Sequence, residues 1–396
     1  MCCLGSDYNY RMASGPSTAS KIVNVDDFGA KADGIIDDSE AFEKAWKEAC
    51  SSQTSVTLIV PNNNIYHLKP LTFSGPCQSD IIFKIHGTVK ASNKMEDYGE
   101  DTRHWIVFYN VQNLRVKGGG IINGNGRIWW INSCKFDKTK PCKHAPTAVT
   151  FYECKNLIVS NLWLKNAQQM HISIQKCVNV RILKLKVTAP GNSPNTDGIH
   201  VTGTQNIRIR KCVIRTGDDC ISIVSGSKNV EATDISCGPG HGISIGSLGA
   251  GHSEAQVSNV FVNRATFSGT TNGVRIKTWQ GGSGYAKNII FENILMKNVT
   301  NPIIVDQNYC DQDDPCPQQK SAVHVSNIIY RNIRGTSSSK VAMKFDCSNT
   351  FPCQKIMLQN VILSTQQHQT AQASCINVNM PVLPNVSPQC STTSIL

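Results

Sequence analysis

Asp197-Gly198-Ile199-His200-Val201, Asp219-Cys220-Ile221-Ser222-Ile223 and His241-Gly242-Ile243-Ser244-Ile245 share one pattern: a titratable residue, a small one, then apolar residues at alternate positions. Their first residues are 22 apart and 22 apart again (219−197 and 241−219). Alternation with period two marks a strand buried on one face. Self-similarity at about this length marks a solenoid whose coils stack equivalent positions. Parallel strands lie about 4.8 Å apart. Asp197, Asp219 and His241 are therefore expected to form a column on one outer surface, with Asp218 beside it.

The register extends in both directions. Asn272-Gly273-Val274-Arg275-Ile276-Lys277 repeats the pattern 31 residues beyond His241 (272−241). Ala148-Val149-Thr150-Phe151, His171-Ile172-Ser173-Ile174 and Pro302-Ile303-Ile304-Val305 fit the same strand. A second marker, Asn followed by a branched apolar residue, occurs at Asn113, Asn156, Asn179, Asn206, Asn229, Asn259, Asn288, Asn327 and Asn360. From Asn156 to Asn288 its gaps are 23, 27, 23, 30 and 29 residues. Such lengths fit three short strands and their turns, one coil of a parallel β-helix. The intervening segments alternate with period two (Val180, Ile182, Leu183, Leu185, Val187) and carry many β-branched residues, which disfavours a helical repeat. The asparagines are expected to stack as an internal amide ladder at a bend.

No Pro/Ser-rich linker or charge run interrupts residues 22–390, so the expectation is an all-β chain. It has a polar, disordered leader over residues 1–21 and one β-helix domain over 22–396. Solenoid ends need caps. From Asp38 to Cys50, apolar Ala41, Phe42, Ala45, Trp46 and Ala49 recur at helical spacing, which predicts a short α-helix plugging the N-terminal end. The Cys-rich tail after Cys347 is expected to close the other end.

The 396 residues include 39 Lys+Arg against 28 Asp+Glu, a net charge of +11. A basic surface favours an acidic polymer, yet no aromatic-interleaved basic cluster points to nucleic acid. Seventeen cysteines are many for this length, and short-range pairs read as loop staples: Cys220/Cys237, Cys310/Cys316, Cys347/Cys353 and Cys375/Cys390, with Cys50/Cys77 and Cys134/Cys142 as further candidates. No CxxC is matched by a second CxxC or HxxxH at zinc spacing. Cys154 and Cys177 each precede a marker Asn by two and should be buried thiols. Sequons at Asn298 and Asn385 also suit an oxidising, extracellular compartment. Residues 1–20 show no apolar signal-peptide core, and no stretch reaches membrane-spanning length.

The column carries the chemistry. Asp197, Asp218 and Asp219 fall within two coils, so at least one carboxyl should be pushed toward its protonated form. A protonated carboxyl beside ionised ones supplies a general acid while the others activate water, the division of labour of glycoside hydrolysis. Arg275 and Lys277 would face the same cleft and grip a substrate carboxylate. On a regular strand Asp218 and Asp219 would point to opposite faces, so they are expected on a bend.

The ordered set Asn195-Thr196-Asp197, Asp218-Asp219, Gly240-His241-Gly242 and Arg275-Ile276-Lys277 resembles the plant polygalacturonases, and most resembles the endo-acting enzymes of abscission and dehiscence. The resemblance runs from Val25-Asp26-Asp27-Phe28-Gly29-Ala30 to the C-terminal cysteines. It implies a right-handed parallel β-helix that hydrolyses de-esterified homogalacturonan without a cofactor or metal. It further implies a secreted monomer of the cell wall, with a protein inhibitor as a candidate partner. Carried over, Asp218 is the proton donor, Asp197 and Asp219 activate water, and His241 tunes the acid. Arg275, Lys277 and Tyr309 contact substrate, and Asn195 lines the cleft. Stacked carboxylates about 4.8 Å apart would by the usual rule point to retention, at ~5–5.5 Å rather than ~6.5–9.5 Å. The resemblance implies inversion instead, with water between two aspartates. Exo action, a pectate lyase, a catalytically silent pectin-binding wall protein and a nucleic-acid binder are the competing readings.

Overall fold

A computed structural model describes residues 20–100, 102–311, 316–367, 369–378, 380–381 and 384–390. The expected leader lies outside them up to residue 19. Among the described residues eleven strands form one parallel sheet, from Leu71–Ser74 to Gln372–Ile376. Five consecutive members matter here: β1 (Ile199–Thr202), β2 (Ile221–Ile223), β3 (Ile243–Leu248), β4 (Asn272–Trp279) and β5 (Asn301–Tyr309). Their register places Ile199, Ile221, Ile243, Val274 and Ile303 over one another. All five are fully buried. At roughly 1.5–3 kcal/mol for each buried aliphatic side chain, such columns supply most of the drive that holds the coils together.

Two further faces complete each coil. Lys155–Ser160, Val178–Leu183 and Gln205–Arg210 pair in parallel along one. Trp163–Lys165, Lys186–Thr188 and Val213–Arg215 form the other. In the next coil a single bent strand, Lys228–Cys237, pairs with both. The chain is a right-handed parallel β-helix, as the repeat and the resemblance implied. No helix of the described residues is long and apolar enough to cross a membrane.

The helix α1 (Ser39–Cys50) buries Ala41, Phe42, Ala45, Trp46 and Ala49, the residues its periodicity singled out. Trp46 packs its ring 5.0 Å from Phe73 and donates its indole N–H to the Ser74 carbonyl at 3.0 Å. At the far end, Val386–Ser387 adds a last parallel pairing to Val361–Ile362. The six cysteine pairs named from spacing are all disulfides. Cys154 and Cys177 are buried free thiols, joined by Cys212.

The asparagine ladder is real, but it lies outside rather than inside. From Asn156 to Asn327, each Nδ2 donates to the Oδ1 of the preceding marker, back to Asn113, at 2.7–3.2 Å. All eight side chains are exposed. The reason is conformational: each sits at φ between +55° and +59°, a left-handed corner that asparagine tolerates better than most residues. The corner turns the amide outward while the next residue enters the core. Asn360 does not join this ladder. Its coil places Lys355 at the corner, and Asn360 bonds Asn332 in a second ladder at 2.9 Å.

Candidate active site

The stacking predicted from the repeat brings the site together. The Gly198 N–H donates to the Asp219 carbonyl at 2.9 Å, and the Cys220 N–H to the Gly242 carbonyl at 2.7 Å. Asp197, Asp219 and His241 therefore sit one above another just before β1, β2 and β3. Asp218 and Asp219 lie in a bend ahead of β2, as their adjacency led us to expect. The turn before β3 needs glycine: Gly242 has φ +85°, and a Cβ there would fall 2.2 Å from the Asn272 carbonyl oxygen.

Each carboxylate has a different set of partners. Asp219 is 2% exposed and meets three donors. Its Oδ1 accepts from Ser244 Oγ at 2.7 Å and from the Arg275 guanidinium at 2.9 Å, and its Oδ2 from Lys277 Nζ at 3.2 Å. Asp197, 7% exposed, accepts from Ser222 Oγ at 2.7 Å, and His200 Nδ1 stands behind that hydroxyl at 2.8 Å. Burial does not place these two groups in the barrel. Ser222 lies between core residues Ile221 and Ile223, so it points to the cleft, and the Asp197 carboxylate meets it there.

Asp218 is the most accessible of the three. Its Oδ1 lies 2.9 Å from His241 Nδ1 and accepts from the Asp219 N–H at 2.8 Å, while its Oδ2 accepts from Asn195 Nδ2 at 3.3 Å. Tyr309, at the end of β5, places its ring 5.4 Å from Lys277 Nζ and edge-on to Trp279. Every residue singled out in the sequence is thus in this cluster.

The charges are not distributed as the sequence implied. Burial, then the charges of Asp218 and Asp219, push Asp197 well above the usual carboxylate range. For Asp218, burial acts upward, but the hydrogen bond and charge of His241, together with Lys277, outweigh it and hold the carboxyl low. One pKa rises as expected. In the free site, however, it belongs to Asp197 rather than to the expected donor, because Asp197 is buried and no cation among the described residues contacts it.

Sequence reasoning missed the residues behind the carboxylates. Ser222 and Ser244 stand in the repeat itself, three positions after Asp219 and His241, and His200 occupies the same register three after Asp197. Buried His171 donates from Nδ1 to the Asp197 carbonyl at 3.0 Å and fixes that turn from the neighbouring coil. Burial pushes both His171 and His200 down to about 4, so they are neutral braces. The signal was present: polar residues at outward positions of otherwise apolar strands.

Donor atoms of Asp218, Asp219 and His241 lie within 4.8 Å of one another, close enough to hold a cation. Asp219 already meets a guanidinium and an ammonium, so a divalent ion there would face two positive charges. The donor set fits a metal poorly.

Comparison with known proteins identifies the family. The glycosyl hydrolases family 28 profile matches residues 50–390. Polygalacturonase QRT2 from Arabidopsis thaliana is 62% identical over 378 residues, covering 95% of this chain and 86% of that protein. Polygalacturonase-2 from Solanum lycopersicum is 58% identical over 375 residues, covering 95% and 82%. The polygalacturonase of Erwinia carotovora ssp. carotovora superposes with a TM-score of 0.77 at 23% identity, over 94% of this chain and 100% of its own, and shares the fold. The chain belongs to the glycosyl hydrolases family 28.

Proposed function

We propose that residues 22–396 form one catalytic unit that hydrolyses α-1,4-galacturonosyl linkages in de-esterified homogalacturonan, endo-wise and with inversion, as a monomer in the cell wall. The carrying observation is a trio of aspartates facing Arg275, Lys277 and His241 on one sheet. The cations suit a substrate that carries a carboxylate on every sugar, and the disulfides suit an extracellular enzyme.

The partners divide the labour. Asp219 and Asp197 are buried, oriented by Ser244, Ser222 and the cations, and suited to position and deprotonate a water. Three donors leave one of about four lone-pair sites of Asp219 for a water, which supports direct attack by water despite the short carboxylate spacing. Asp218, more open and backed by His241, protonates the leaving oxygen. Lys277 is one of the charges that hold Asp218 low. A uronate carboxylate seated on Lys277 offsets that charge, raising the proton affinity of Asp218 when substrate is present. The acid is armed by the substrate it cleaves.

Two expected results follow. Polygalacturonate digested in the presence of a chelator should give saturated oligomers of mixed size at early times, with no rise in ultraviolet absorbance. Monomer alone from the outset means exo action. Unsaturated products that disappear in chelator mean a lyase and overturn the reading. Activity should also be bell-shaped with an acidic maximum. Above it Asp218 in the substrate complex loses the proton it must donate; below it Asp197, held high by burial and its acidic neighbours, takes up a proton and no longer activates water. Full activity retained at pH 8 would contradict this assignment.

A further inference from the structure

The scattered positive charge of the sequence gathers when the coils stack. Residues 155–228 contain eleven Lys+Arg and three acids, and the three acids are Asp197, Asp218 and Asp219 of the cleft. Outside the cleft, this part of the solenoid therefore carries cations and no acid.

Part of that charge flanks a groove on a different face. The groove runs along the exposed asparagine ladder from Asn156 to Asn259 and is bordered by Arg181 and Arg208. These two arginines occupy adjacent rungs in register, Arg181 opposite Arg208 and Arg208 opposite Glu231. Like charges directly opposite on neighbouring strands destabilise a sheet. Glu231 relieves Arg208 at 3.4 Å and also takes Arg210, whereas Arg181 makes no ion pair among the described residues. An anionic group seated over the pair would supply the missing countercharge. Each ladder amide spends one of its two N–H groups and one carbonyl lone pair on its neighbours. The remainder face solvent, one set per coil, and suit hydroxyl groups.

We propose that this groove is a second binding site for acidic polysaccharide, separate from the cleft, with uronate carboxylates on Arg181 and Arg208 and sugar hydroxyls on the amides of Asn156, Asn179, Asn206 and Asn229. It rests on the reading of the cleft as a galacturonan site: a chain long enough to occupy both surfaces is held at the enzyme between cuts. Guanidinium matches carboxylate bidentately. Phe261 is the one aromatic residue bordering the groove, too few for the base stacking by which single-stranded nucleic acid is held.

The test uses the full chain carrying Asp218→Asn, so that binding is read without cleavage. Adding Arg181→Glu and Arg208→Glu should weaken binding of long polygalacturonate roughly fivefold or more and flatten its salt dependence. The Arg181→Gln/Arg208→Gln pair should act in the same direction and carries the test if the Glu pair folds poorly. In the active background, hydrolysis of a tetragalacturonate should stay within about twofold of the parent, since these arginines border a different face. Unchanged long-chain affinity in both pairs overturns the inference, as does a loss confined to anionic vesicles or to DNA. A parent enzyme that binds the polymer through these arginines but cuts neither polymer nor oligomer refutes the cleft reading and leaves the groove standing.

Discussion

An Asp218→Asn enzyme is expected to release reducing ends roughly 10²–10⁴-fold more slowly than the parent, while binding polygalacturonate with unchanged affinity. Asparagine keeps the shape and can still accept the Asp219 N–H. It cannot hand a proton to a leaving oxygen or share one with His241 across 2.9 Å. The affected step is chemistry rather than binding, because the cations that grip the polymer touch Asp219 and not Asp218. A reducing-end assay paired with calorimetric binding separates the two. Equal, slow rates in parent and variant would instead identify a binding protein and sink the enzymatic assignment.

Lys277→Met is expected to cost about 2–5 kcal/mol in kcat/KM, or roughly 30- to 5,000-fold. Lys277 is only 9% exposed and its ammonium is 3.2 Å from Asp219 Oδ2. Methionine fills much of the volume, so the loss is electrostatic. Two effects combine: the uronate loses a cation, and Asp219, buried, is left with Arg275 as its sole charge partner among the described residues. Activity on a methyl-esterified oligomer, which has no carboxylate to seat, should fall by a smaller factor. A loss of less than about twofold on polygalacturonate would remove Lys277 from the substrate grip.

Most of the site was legible because a solenoid converts sequence period into spatial proximity. Asp197 and His241 are 44 residues apart (241−197) yet two coils apart in space. The N-terminal helix was legible for a similar reason, since Ala41, Phe42, Ala45, Trp46 and Ala49 describe one face. What sequence could not supply was direction. The marker asparagines read as internal because recurrence is usual for core residues, and only the left-handed φ at each corner turns them outward. Nor does a pattern of carboxylates say which one holds the proton. That depends on Arg275 and Lys277 reaching Asp219 rather than Asp197, a matter of side-chain reach from β4 past β3 to β2.

The coils that bear Asp197, Asp219 and His241 repeat at 22 residues, the tightest spacing in the chain, whereas neighbouring repeats run to 31. Twenty-two residues suffice for three strands and their turns and leave no surplus to project. Whatever overhangs the catalytic floor must then be contributed from longer coils on either side, such as the disulfide-closed excursion between Cys134 and Cys142 that stands beside Asn195. Chemistry and selectivity are thereby inherited from different parts of the polypeptide. Preference for polymer length or esterification can diverge by exchanging those rims, while the machinery beneath them stays fixed.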